Sequence, residues 1–362
     1  MDIVGSCGVA AGASTIAICV LYKLAEPLGL IDRPDERKRH AGNIPLIGGL
    51  AAFIGILAGA FCYGEFRSFG YSLLGTASLL AFVGALDDRH NLKVRTRLFV
   101  QVSTILLMIG LTNTYIRSLG HLFGHELTLG VFGIPFTVIA VIGLVNAFNM
   151  MDGIDGLAGC VTLVSIGAII ALNGQPHTSR ATAMLALVAF ATLPYLAANF
   201  GVAGRKIFLG DAGSTLVGYI LAWILIQLSQ QNSSQLSSVD VLWCVALPVL
   251  DTLAVMYRRI RAGKSPFKPD RGHIHHLLLQ AGLGPRATLI VLIAAATTLV
   301  TIGSLTRRLE PGSNLLAFSI LLVVYVTVTS KVARKLANRA GVPVVPSAMS
   351  TTEEPSFAST QG

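Results

Sequence analysis

Apolar residues along this chain run in long blocks rather than in alternation. The blocks lie roughly at 3–24, 46–63, 71–86, 98–113, 131–148, 157–172, 181–199, 213–229, 239–257, 287–305 and 315–331. A helix needs ~20 mostly apolar residues to cross a bilayer, and most blocks come close. The pattern predicts an all-α polytopic integral membrane protein with about eleven transmembrane helices. The block at 98–113 is the weakest, being short and carrying Gln101. The first block has no basic stretch ahead of it and no small-residue cleavage site. It is expected to remain as a span rather than act as a signal peptide. One transmembrane domain is expected over 1–335, with 336–362, rich in Pro, Ser and Thr, a disordered tail.

Composition strengthens this reading. The chain is 53% hydrophobic and only 12% charged, too little charge to cover the surface of a soluble domain of 362 residues. The net charge of +9 is unevenly spread. Arg33, Arg37, Lys38, Arg39, Arg89, Lys93, Arg95, Arg97, Arg205, Lys206 and the run from Arg258 to Arg286 fall in alternate loops. The remaining loops hold only Arg67, Arg117, Arg180, Arg307 and Arg308. This asymmetry predicts the first set on the cytoplasmic side, a periplasmic N-terminus and a cytoplasmic C-terminus. The five cysteines sit in or beside apolar blocks without C-x-x-C spacing, so they read as packing residues.

The polar motifs then sort to one membrane face. "GALDDRHNLKVRTR" places Asp87 and Asp88 at the end of a span, expected to meet water. Adjacent carboxylates repel unless a cation or metal sits near, although they could also be a helix-end charge pair. "NAFNMMDGIDG" spaces Asn146, Asn149, Asp152 and Asp155 by three, which on a helix aligns them along one face. Carboxylates at membrane depth are costly and suggest function, or a packed polar patch. In "FLGDAGST" Asp211 follows a glycine just before a span. It could ligate a hard cation or simply cap the helix. "SPFKPDRGHIHHLLL" groups Lys268, Arg271, His273, His275 and His276. There is no fourth ligand at zinc spacing, and such a basic cluster suits a diphosphate. Asp251 could pair with a basic neighbour. Hard carboxylates without soft ligands argue for Mg²⁺, with Mn²⁺ as a substitute, and a phosphorylated substrate.

These motifs, in this order and over about residues 25–285, resemble the polyprenyl-phosphate N-acetylhexosamine-1-phosphate transferase family. "RKRHAGNIPLIGGL" and the His-Ile-His-His arrangement are especially similar to its bacterial, undecaprenyl-phosphate branch. The resemblance implies transfer of GlcNAc-1-phosphate from UDP-GlcNAc to undecaprenyl phosphate in the bacterial inner membrane, at its cytoplasmic face. That would be the first membrane step of O-antigen, lipopolysaccharide or related envelope glycan synthesis.

The resemblance also implies residue roles. Asp211 resembles the principal metal ligand and Asn149 a second. Asp87, Asp88 and Asp152 form the catalytic set, with Asp87 or Asp88 as base. Asp155 and Asn146 would hold the nucleotide sugar, Asp155 toward the uracil. His273, His275, His276, Arg271 and Lys268 would hold the pyrophosphate. Membrane lipid is an expected partner, nucleic acid is not, and a homodimer is allowed. Another UDP-N-acetyl-sugar would fit the same motifs. A transporter that relays protons is the competing class, but it should carry its acids at mid-span and often shows repeated halves. Here the acids gather at one face and no repeat is visible.

Overall fold

The computed structural model describes residues 1–33, 42–174, 179–202, 204–231, 234–265 and 272–339. In chain order the elements are α1 (Ile3–Leu24), β1 (Ile31–Asp32), β2 (Ile44–Pro45), α2 (Gly48–Tyr63), α3 (Ser68–His90) and α4 (Val94–Thr112). A hairpin follows, β3 (Ser118–Leu122) with β4 (His125–Thr128), then α5 (Gly133–Met150), α6 (Leu157–Asn173), α7 (Arg180–Asn199) and α8 (Gly210–Ser229). The chain continues as α9 (Asp240–Cys244), α10 (Ala246–Arg261), α11 (Ile274–Gln280), α12 (Pro285–Thr306) and α13 (Pro311–Arg339). Both strand pairs are antiparallel and two-stranded.

Among the described residues, eight helices are long and apolar enough to cross a membrane: α1, α3, α4, α5 with the turn before it, α7, α8, α12 and α13. The apolar helices α2 and α6 are shorter. The chain is an all-α multi-pass membrane protein. The block at 239–257 is not one helix. It breaks at Val245, where Pro248 has no N–H to offer the Cys244 carbonyl one turn back, and α10 starts afresh. Helix α13 runs through the expected domain boundary at 335 to Arg339, and residues 340–362 of the expected tail lie outside the described residues.

Helix α8 is the axis of the fold. Tyr219, Ile220, Leu221, Trp223 and Leu225 along it are fully buried, and α2, α3, α5, α6 and α7 all pack on it. Lipid tails are as apolar as a leucine side chain, so close backbone packing supplies much of the association between helices. Two glycine contacts illustrate this. A Cβ on Gly49 would lie 2.1 Å from the Gly213 Cα, and one on Gly84 would lie 2.4 Å from the Ala212 Cα. Both contacts fall in the first turn of α8, so the ends of α2 and α3 are drawn onto that turn. Asp88, in the last turn of α3, is thereby brought to the start of α8.

Candidate functional site

Asp88 and Asp211 meet at the first turn of α8. The Asp88 carboxylate accepts the backbone N–H groups of Asp211 (2.8 Å) and Ala212 (3.2 Å). It therefore caps α8, from another helix, at the end where amides lack intrahelical partners. Asp211, which could have been that cap, is left with its side chain turned outward. Its Oδ1 accepts from the Asn149 amide (2.7 Å), and Arg97 Nη1 lies 3.4 Å from its Oδ2. The expectation that Asp87 meets water is corrected. Asp87 is buried, because its Oδ1 accepts the Leu92 N–H (2.7 Å) and its Oδ2 is paired with Arg97 (2.9 Å).

The expectation of one helical face for Asn146, Asn149, Asp152 and Asp155 is also corrected. Helix α5 ends at Met150, and the glycine-rich chain beyond it turns. Asn146 bonds to the Ile142 carbonyl and to Gln101 of α4, so it ties helices together. Asn149 donates to Asp211 and Ser214. Asp152 and Asp155 sit in the turn, half-buried. Burial, with the nearby charges of Asp211 and Asp155, pushes the Asp152 carboxyl up to about 7. Asp155 is paired with Lys206 Nζ at 2.7 Å. Gly156, with φ +77°, hands its N–H to Asn199 and ends the turn.

The histidine segment faces these acids. His273 is buried and its Nδ1 lies 2.8 Å from Asp251 Oδ2, so the partner of Asp251 is this histidine. His275 is 1% exposed and stacks on His273 with ring centroids 6.0 Å apart. It also packs so closely on Gly153 that a Cβ there would reach 2.1 Å from its Nε2. His276 follows at 4.1 Å from the His275 ring. Among the described residues, both ring nitrogens of His275 and Nε2 of His273 are buried without a hydrogen-bond partner. Burial holds the His275 imidazole down at about 3, hence neutral near pH 7. Lys268 and Arg271 lie outside the described residues.

Asp88, Asn149, Asp152, Asp155, Asp211 and His276 line one open cavity of about 760 Å³, together with Asp32, Lys206 and Gln280. That volume is of the size that holds a nucleotide-like ligand. Asp87 and Arg97 instead line a narrow slot between α3, α4 and α8, with Leu80, Val83 and Val100, that shares Asp211 with the cavity. Asn146, His273 and His275 are not among the lining residues, but His275 packs directly on Gly153 and His276, which are, and His273 stacks on His275. Sequence reasoning passed over Arg97, Lys206, Asp32 and Asp251 as site residues. Arg97 stood inside a quoted motif and Lys206 two residues ahead of one, but a charge in a basic loop gives no sign of which acid it meets.

The donor set fits a hard divalent cation held in part by substrate. Asp211 and Asn149 offer oxygen donors beside Asp152. Among the described residues no three His, Cys, Asp or Glu converge closely enough to hold an ion alone. Mg²⁺ is commonly bound in this way, through one or two carboxylates with phosphate and water completing its shell.

Residues 71–229 match glycosyl transferase family 4. The chain is 45% identical over 294 residues to the undecaprenyl-phosphate alpha-N-acetylglucosaminyl 1-phosphate transferase of Yersinia pestis, covering 80% of each chain. It is 43% identical over 301 residues to the protein of the same name from Escherichia coli strain K12, covering 81% of this chain and 80% of that one. The Haemophilus influenzae protein of that name is 40% identical over 318 residues, 86% of this chain and 89% of its own.

Proposed function

This chain belongs to the undecaprenyl-phosphate alpha-N-acetylglucosaminyl 1-phosphate transferases of glycosyl transferase family 4, and on that premise we propose how its cavity carries the reaction. The enzyme transfers GlcNAc-1-phosphate to undecaprenyl phosphate, with UDP-GlcNAc as donor. An oxygen of the lipid phosphate attacks the sugar-bearing phosphorus of the donor. A new P–O–P bond forms to the lipid, the bond from that phosphorus to the bridging oxygen of the donor's diphosphate breaks, and its electron pair stays on that oxygen, which leaves with UMP. The observation that supports this best is the meeting of Asp88, Asp152, Asp155, Asp211 and His276 around one cavity at the ends of membrane-spanning helices. A polar donor can enter such a cavity from water while the acceptor's tail stays in the bilayer. The Lys and Arg asymmetry of the loops supports a cytoplasmic orientation for this end of the bundle, in what we take to be the bacterial inner membrane. The step would open assembly of a lipid-linked envelope glycan.

Each residue then has a task. Asp211 and Asn149 hold Mg²⁺, which when bound offsets charge on the diphosphate and on departing UMP. Asp87 takes the proton of the acceptor phosphate, for which its Oδ2 must exchange Arg97 for that O–H group. Asp88 holds the first turn of α8, and so the direction of Asp211. Asp152 and Asp155 bind the nucleotide sugar, with Lys206 restraining Asp155. The histidines, with Lys268 and Arg271, meet the diphosphate. The deciding assay uses purified protein, undecaprenyl phosphate, Mg²⁺ and a panel of UDP-sugars. UMP release with UDP-GlcNAc and a diphosphate-linked lipid product are expected. Turnover only with a different UDP-N-acetyl-sugar would move the donor assignment, and no turnover with any would remove the reading.

A further inference from the structure

Asp251 lies outside the cavity, yet it is fully buried, and burying a carboxylate costs several kcal/mol unless it is well paired. Three donors converge on it. Its Oδ2 lies 2.8 Å from His273 Nδ1, and its Oδ1 accepts the Ile274 N–H (2.9 Å) and the Tyr325 O–H (3.2 Å). Two of the three come from the segment that opens α11, and the third comes from α13. Two turns along α10, Arg258 donates to the Gly272 carbonyl and to Thr329 of α13. One face of α10 therefore grips residues 272–274 at both ends. The bond from Asp251 sets the His273 ring with its proton on Nδ1, which directs Nε2 away from Asp251. That Nε2 is buried without a partner, beside two further unpartnered nitrogens on His275. An unpartnered buried polar atom is costly, so three on two neighbouring rings mark a place that something else completes.

We infer that Asp251 is a positioning residue for nucleotide-sugar binding: it fixes the His273 ring and lets that ring hold a proton on Nε2 when a diphosphate arrives. The inference rests on the functional reading above. A neutral imidazole with Nδ1–H bound to Asp251 can only accept at Nε2, whereas a diphosphate needs a donor. Protonation at Nε2 supplies one, and the Asp251 charge stabilises the resulting cation. Among the described residues, the charged or titratable groups around this ring are Asp251 and Arg258 from α10, Tyr325 from α13, and His275 and His276 of its own segment. Arg258 opposes the extra proton, and Asp251 offsets it. Tyr325 steadies Asp251.

The test is equilibrium binding of UDP-GlcNAc, at fixed Mg²⁺ and without acceptor, to the full chain between pH 5.5 and 8. The wild-type protein is expected to bind over the whole range. Asp251→Asn keeps a hydrogen-bond acceptor for Nδ1–H but loses the charge. Its affinity should be near normal at pH 5.5 and fall ~10-fold or more by pH 8, while acceptor-lipid binding is unchanged. His273→Gln should bind weakly at every pH, and adding Asp251→Asn to it should cost nothing further, because Asp251 acts through His273. Tyr325→Phe, a milder change that keeps the packing, should give a smaller shift in the same direction. Equal affinity of Asp251→Asn and wild type at pH 8 overturns the inference. So does a pH-independent loss, or an additive double variant, either of which would make Asp251 a packing residue. If Asp251→Asn does not fold, the Tyr325→Phe profile decides, and a flat one overturns the inference. Wild-type protein that binds no UDP-GlcNAc at any pH overturns the donor assignment and this inference together.

Discussion

The two walls of the cavity are built on opposite principles. The acidic wall comes from the ends of α3, α5 and α8, with α3 held at backbone distance from α8 through Gly84, and most of its side chains are partnered. Asp88 accepts two amides, Asp87 an amide and a guanidinium, and Asp211 an amide and the edge of Arg97. The histidine wall is a short segment splinted by α10, and three of its buried ring nitrogens have no partner. The acidic wall is largely paired from within the protein, with Asp152 left beside other carboxylates where a cation would sit, while the histidine wall keeps ring nitrogens for a ligand. A rigid acidic wall costs no reorganisation when charge develops at phosphorus. An unfinished histidine wall reserves its hydrogen bonds for the donor.

The sharpest way to break this contrast is to remove a charge from the acidic wall without changing its shape. Asp211→Asn should lower kcat by on the order of 10³-fold, with the protein still folded and inserted. Near-normal turnover across a range of Mg²⁺ concentrations would remove Asp211 from the metal. Asp87→Asn should cost ~10²-fold or more if it is the base. That deficit should shrink as pH rises, because the second pKa of a phosphate monoester is ~6 and the acceptor then arrives deprotonated. A deficit that ignores pH and yields to added Mg²⁺ would reassign Asp87 to the metal, with Asp88 the next candidate for the base.

The histidine wall should respond with opposite signs in stability and function. His275→Leu removes two buried nitrogens that nothing satisfies, so the ligand-free protein should gain ~1–2 kcal/mol in chemical denaturation. UDP-GlcNAc binding should weaken by roughly 10–100-fold, the equivalent of one charge-assisted hydrogen bond at ~1.5–3 kcal/mol. A variant that is less stable than wild type would mean that the imidazole is already satisfied in the free protein. The contrast between the walls would then fail.

Much of this was legible in the sequence. The apolar blocks gave the all-α membrane fold, because a bilayer forces long uninterrupted runs. Pro248 marked a break that hydropathy alone passed over. The motif acids were visible, and their shared membrane face followed from loop charge. What could not be read was which acid serves which neighbour. Asp88 caps α8 only because Gly84 lets α3 approach Ala212, and that contact spans more than a hundred residues of sequence. Asp251 meets His273 across a stretch that includes 266–271, so its basic partner lies farther along the chain than Arg258 and Arg259 and spacing alone does not single it out. Spacing by three suggested one helical face for Asn146 to Asp155, yet the glycines end α5 partway and divide those residues among three tasks.

The smallest effect, and the one that compares the walls most directly, is their pull on stability with pH. Asp152 carries a carboxyl pushed up to about 7, through burial first and then the charges of Asp211 and Asp155. An acid with a raised folded pKa holds its proton more tightly when folded. As pH rises from about 4 toward 7 the unfolded chain releases that proton first, so stability falls over this window and levels off above it. His275 behaves in the reverse sense. Its folded pKa is depressed to about 3, so the unfolded chain takes up a proton first as pH drops below the usual value near 6.5, and stability falls toward acid. Asp152→Asn should therefore stabilise metal-free protein more at pH 8 than at pH 4.5, and the His275→Leu gain should grow as pH is lowered. The half-buried position of Asp152 leaves its charge partly screened by water, so its shift should be the weaker of the two. Melting curves in detergent with chelator, at pH 4.5, 6 and 8, separate the slopes. Adding Mg²⁺ should cancel the Asp152→Asn gain at pH 8, since the cation relieves the crowding of carboxylates, and leave the His275→Leu gain untouched. If both variants shift melting by the same amount at every pH, neither group titrates against its wall, and the difference between the walls would lie in packing alone.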